Sequence, residues 1–173
     1  MALSKKIVRE ITGFTFLKTS SDIENWFNRA CSFNTATKLL SESLSEAYFY
    51  NAGLSIELLL KTIILAQSKT FETNHKLNGL CENAGIKLTK DQTITLDLFS
   101  EIIIWSGRYP TPKNEGQWNN YHDSILEKHI VREQNGNTFK TLAHSGRFPS
   151  LENYLKIWNL CESEYQRLVG SSA

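Results

Sequence analysis

The chain is poor in the residues that punctuate or staple a fold. It has three cysteines, three prolines, one methionine and almost no net charge. The cysteines, Cys31, Cys81 and Cys161, are odd in number, widely spaced and without a Cys-x-x-Cys pair. That excludes a disulfide framework and a four-cysteine zinc site. Nineteen Lys and Arg against eighteen Asp and Glu leave a formal charge of +1. Bulk charge therefore supplies no attraction to nucleic acid or membrane, and a basic surface would have to be local. At 173 residues the chain is short for a (β/α)₈ barrel, which needs about 250. With 40% hydrophobic residues it is too apolar to be disordered.

Long hydrophobic runs are also lacking. The opening MALSKKIVREITGF has no apolar stretch after its lysines and does not read as a signal peptide. The most apolar segment is interrupted by Glu57 and Lys61, so it falls short of a membrane span. The expectation is a cytoplasmic protein with no membrane partner.

What is present is helical periodicity. Residues 1–18 are ambiguous between a short helix and an edge strand. Ser21 to Glu24 has capping-box spacing and opens a short segment with Ile23, Trp26, Phe27 and Ala30 on one side. Asn34 or Ser32 is placed to cap the next helix. That helix, from about Leu39 to Gln67, carries Leu40, Leu44, Ala47, Asn51, Leu54, Leu58 and Leu65 on one stripe. Ile56, Leu59, Leu60, Ile63 and Ile64 make its second half apolar nearly all round, the pattern of a central helix. Gly53 within it permits close approach of a neighbour or marks a bend.

A helix is predicted over His75–Ala84, stopped by Gly85. Thr89 and Gln92 announce another through a capping box, carrying Ile94, Leu98, Ile102 and Trp105. Gly107 closes it, and Pro110 and Pro112 prevent its continuation. Residues 106–149 change character, gathering glycine, proline, asparagine and three of the four histidines. One helix is predicted over Trp118–Val131, and Glu133 to Asn137 reads as a loop. A last helix spans about Ser150–Val169, with Tyr154, Trp158, Cys161 and Tyr165 inward. The sum predicts a single all-α domain, an antiparallel helical bundle. Its core is about 20–106 plus the helix at 150–169, with an irregular elaboration over 107–149.

Chemistry is concentrated on few residues. Glu57 and Lys61 are the only charges between Ala47 and Ser68, and their i, i+4 spacing lets them pair. They form either a solvated stripe, a polar pocket or a dimer-interface pair; if buried, each needs a partner. Arg108 follows Trp105 and precedes the proline turn. Trp105 and Tyr109 are placed to hold its guanidinium by stacking, and Glu57 to orient it, leaving donors for a phosphate. The alternative is a surface arginine favoured by a helix dipole. His122 and His129 are seven apart, with Asp123 alongside, and this is no metal motif. No phosphate-loop, dinucleotide, HExxH or GxSxG motif occurs, so no cofactor and no metal are expected.

Three pieces carry a resemblance: AYFYNAGLSIELLLK at 47–61, NHKLNGL at 74–80 and WSGRYPTP at 105–112. Over about residues 36–112 the chain resembles the small prokaryotic branches of the HEPN superfamily. The resemblance implies an antiparallel helical bundle, often a symmetric homodimer. Many such proteins are metal-independent endoribonucleases of toxin–antitoxin or antiviral systems. Others bind RNA, nucleotides or a partner protein such as an antitoxin without catalysis. The family's ribonuclease motif is an arginine, four to six residues, then a histidine. Here no arginine stands so before a histidine; Lys69 and His75 have five residues between them.

Two mechanisms follow from the resemblance. In one, Arg108 binds the scissile phosphate, and His75 or His122 moves the proton. Glu57 orients Arg108 and Lys61 adds positive potential. In the other, the same groove, including Asn51, holds RNA or a nucleotide uncleaved, with Trp105, Tyr109 and Trp118 as stacking surfaces. A third expectation is a domain that only dimerises or docks onto a partner.

Overall fold

The computed structural model describes residues 23–43, 45–71, 74–136 and 138–170. The readings made for residues 1–18, the Ser21 cap and Leu44 lie outside them. The described chain is mostly helical, with one short antiparallel strand pair.

Helix α1, Ile23–Leu40, is continuous where the sequence predicted a short segment and a fresh start. The two expected caps are used otherwise. Ser32 Oγ donates to its own helix at Asn28 O, and Asn34 is buried with its Oδ1 accepting from the Tyr154 hydroxyl at 2.8 Å. The break comes instead in the serine-rich stretch after Leu40. There Ser45 caps helix α2, accepting from the Tyr48 N–H. Helix α2 therefore runs Glu46–Ala66 and begins at Glu46 rather than Leu39. Ala52, Ile56, Leu59, Leu60, Ile63 and Ile64 on it are fully buried. By length and composition it would also suit a membrane span, contrary to expectation, but its apolar window is mostly buried within the protein.

Helix α3, Leu77–Ala84, ends as predicted at Gly85, whose φ of 75° is the left-handed region that favours glycine. It starts two residues late because Asn74 Oδ1 accepts from the Lys76 N–H and holds His75 in a turn. Helix α4, Lys90–Glu101, has the predicted Thr89–Gln92 capping box in full. It continues as a π-helical turn, Ile102–Ser106, and stops at Gly107. Gly107 is required by crowding: a Cβ there would lie 2.8 Å from the Tyr50 ring and 2.9 Å from Ile102 O.

Close approach also explains Gly53, where a Cβ would meet Ile103 Cγ2 at 2.8 Å and Phe99 O at 3.2 Å. Gly53→Val is expected to cost about 1–3 kcal/mol by overpacking the contact between α2 and α4. Gly79→Ala, in α3 with open space around its Cβ, is expected to gain up to about 1 kcal/mol from helix propensity. Urea unfolding of the two variants checks the opposite signs.

The later section departs most from expectation. Helix α5, Glu115–Asn119, is capped by Asn114 and runs into a π turn, Asn120–Ile125, and a 3₁₀ turn, Leu126–His129. Strand β1, Ile130–Asn135, then pairs with β2, Thr138–Ala143. The predicted helix over Trp118–Val131 thus ends at His129, and the loop predicted from Glu133 is strand through Asn135, turning at Gly136. The hairpin register pairs Asn135 with Thr138, and Gly136 has φ 61°. Gly136, just past the last pair, supplies the positive φ that a short hairpin turn needs, and Ile130, Val131 and Thr141 are residues that favour strands.

Helix α6, Leu151–Gly170, buries Tyr154, Ile157, Trp158 and Cys161. The Tyr154 hydroxyl ties it to α1 at Asn34 and to α2 at Ser55 Oγ, both at 2.8 Å. The three cysteines are free thiols, and burial pushes Cys81 up to about 12, an inert state.

Candidate functional site

The residues named from sequence fall into two groups. The first is built on α2. Glu57 and Lys61 share one face one turn apart, and both are buried, with side chains 3% and 10% exposed. Lys61 Nζ donates to Glu57 Oε1 at 2.5 Å. The other oxygen, Oε2, lies 3.0 Å from His75 Nδ1, brought in by the Asn74 turn. The pair is therefore no solvated stripe. Burial of the carboxylate is offset by two hydrogen-bonded partners. Lys61 Nζ also sits 5.2 Å from the centroid of the Phe71 ring, which Trp26 meets edge-on at 5.8 Å. Phe71 was not singled out from sequence; a lone aromatic in the polar run SKTFETN was the available signal.

His75 is 35% exposed at its side chain. With Nδ1 on a carboxylate, Nε2 is the ring nitrogen left for other chemistry. This cluster can orient an imidazole; its lysine is already engaged.

Arg108 does not join it. Glu57 pairs with Lys61 and His75 and not with Arg108, whose exposed guanidinium lies 5.8 Å from the centroid of the Tyr50 ring. Tyr50 is two turns before Glu57, about 10 Å along the α2 axis. The expected orientation of Arg108 by Glu57, and its holding by Trp105 and Tyr109, are thus replaced by a contact with Tyr50. Asn51, half-buried, donates its side-chain amide to Ala47 O.

The second group surrounds a groove of about 190 Å³ beside the proline turn. Its lining includes Tyr109, Pro110, Pro112, Trp118, Tyr121 and Glu46. Tyr109 is 57% and Trp118 46% exposed. Trp105 is not such a platform: it is buried, donates Nε1 to Glu101 Oε2 at 3.0 Å and packs edge-on against Tyr121. Burial raises the Tyr121 hydroxyl above its ordinary pKa; nearby Ser106 opposes this, and the charges of Glu101 and Glu46 add to it.

His122 stacks on Trp118 with centroids 5.9 Å apart, and its Nδ1 lies 2.8 Å from Asp123 Oδ1. It and His129 both line a second hollow, of about 330 Å³, behind the groove, but they make no hydrogen bond to each other. His129 is buried, donates Nδ1–H to Arg147 O at 2.7 Å, and is held below its ordinary pKa chiefly by burial. No cluster able to hold a metal occurs among the described residues.

This second hollow adjoins the groove through Phe49, Ile102 and Tyr121, and is walled mainly by apolar side chains. Both π turns line these two hollows, through Ile102, Trp105, Tyr121 and His122. Such turns are frequent at functional sites. No family model, no curated protein and no solved structure matches the chain.

Proposed function

We propose that the chain is an RNA-associated, HEPN-like helical-bundle protein that holds single-stranded RNA or a nucleotide in the groove beside the proline turn. One observation carries this reading: two aromatic rings, Tyr109 and Trp118, stand half-exposed on the walls of one groove. Stacking of a base on such a ring contributes about 1–3 kcal/mol and tolerates any sequence. Arg108, exposed at the adjoining turn, supplies the positive charge a phosphate needs. The same reading carries a cytoplasmic homodimer with an antitoxin or defence-system partner.

A nucleolytic version is favoured by a separate observation, the His75–Glu57 hydrogen bond. In it, His75 Nε2 takes the ribose 2′-hydroxyl proton, and Glu57 stabilises the imidazolium formed. The 2′-oxygen then attacks the phosphorus, and the 5′-oxygen leaves with a proton from water.

Fluorescence anisotropy with a labelled single-stranded 12-mer RNA tests the proposal. Trp118→Ala is expected to weaken binding by about 5- to 100-fold, and Arg108→Ala to weaken it and flatten its salt dependence. Incubation of the same RNA in EDTA with wild type and His75→Ala separates the versions. Cleavage lost in the variant supports the nucleolytic one; binding without cleavage supports the module. Wild type that binds no RNA refutes both.

A further inference from the structure

The groove is lined by the hydroxyl-bearing residues Ser106, Tyr109 and Tyr121, which can donate or accept, and its charge is of one sign. Glu46, exposed in the first turn of α2, is the only charged residue along it among the described residues. It makes no ion pair among the described residues, and its charge bears on the Tyr121 hydroxyl. A carboxylate only accepts hydrogen bonds, so a base recognised by it must present donors.

The four bases differ sharply in this respect. Guanine alone offers two adjacent donors on its Watson–Crick edge, N1–H and the N2 amine, which match the two oxygens of a carboxylate. Adenine and cytosine place a ring acceptor beside their amine, and that acceptor would face the carboxylate. Uracil sets its single N3–H between two carbonyl oxygens. Each of these three leaves a repulsive or unpaired contact, whereas a good bidentate pair discriminates against the wrong base by about 1–3 kcal/mol.

We infer that the groove selects guanine. This rests on the RNA-associated reading above. The purine lies against the Tyr109 and Trp118 rings, its Watson–Crick edge meets Glu46, and its phosphate points away from that carboxylate toward Arg108. A groove of about 190 Å³ takes one base rather than a stacked run. The selectivity therefore concerns a single nucleotide position. The negative charge of Glu46 also disfavours a phosphate inside the groove, which sets the direction in which the strand leaves.

The test is anisotropy with labelled 12-mers of uridine carrying one central G, A, C or inosine, against all-uridine. Wild type is expected to bind the G oligonucleotide at least tenfold tighter than the A, C and all-uridine ones. Inosine, which keeps N1–H but lacks the N2 amine, is expected to fall between. Glu46→Gln is expected to erase the G preference while still binding the all-uridine strand. Equal affinity for every oligonucleotide overturns the guanine inference and leaves the RNA reading standing. A G preference unchanged in Glu46→Gln, or loss of all RNA binding in that variant with its melting temperature intact, also overturns it. Wild type that binds none of the strands refutes the RNA reading and the inference together.

Discussion

Glu57→Ala is expected to destabilise the protein by about 3–5 kcal/mol, the cost of breaking a buried charged pair by removing one partner. The carboxylate accepts from Lys61 through one oxygen and contacts His75 Nδ1 through the other. Its loss leaves a Lys61 ammonium, on a side chain only 10% exposed, with an aromatic ring as its remaining partner. In a chain of this size that corresponds to a fall in Tm of about 6–20 °C. Glu57→Gln keeps the shape and one acceptor and is expected to lose less. Replacing the pair together, as Glu57→Leu with Lys61→Met, is expected to recover part of the loss, since no lone charge remains. Urea unfolding decides it: the midpoint should drop with the slope unchanged. A loss under about 1 kcal/mol for Glu57→Ala would mean the cluster behaves as an exposed ion pair.

Trp158→Ala should be comparably severe, at about 3–5 kcal/mol. Trp158 is among the largest fully buried side chains and lies on α6 beside Tyr154, the residue that ties this helix to α1 and α2. Truncation removes its apolar contacts and leaves a cavity that Tyr154, held by its bonds to Asn34 and Ser55, resists closing. The indole N–H donates to Glu162 Oε2, a contact toward the surface, so the loss is one of packing. Trp158→Phe should cost less, because much of the volume is retained. The chain has four tryptophans, so thermal unfolding followed by far-ultraviolet circular dichroism is the cleaner readout. Where the variant stays folded, RNA binding at the Trp118 groove is expected to persist, since Trp158 does not line it. Thermal stability within about 1 kcal/mol of wild type would contradict this account of the core.

The parts of the structure that could be read from sequence are local ones. The Thr89–Gln92 box, the Gly85 stop and the Glu57–Lys61 pair each depend on residues three or four apart along one helix, and helix geometry alone brings these together. The hairpin turns at Gly136, and the run Glu133 to Asn137 around it reads as a loop until two strands flank it. Long-range partners changed the rest. Asn34 has the side chain of a helix cap, yet it sits inside α1, where a tyrosine from the last helix bonds its oxygen. With Ser32 and Asn34 bonded inside a continuous α1, the long helix starts only at the next available cap, Ser45, which accepts from the Tyr48 N–H.

The candidate site divides along the same line. Composition and periodicity determined a mostly helical protein with an apolar central helix, because burying its nearly all-apolar second half requires neighbours on several sides. Spacing determined that Glu57 would meet Lys61. Only tertiary structure decided that His75, from a turn after the helix, would take the second oxygen and that Arg108 would lie against Tyr50. It alone made Trp105 core and Trp118 surface, though both are tryptophans near the proline turn. The physical reason is that a side chain's type sets what it can bind, whereas its burial depends on which distant segments fold over it.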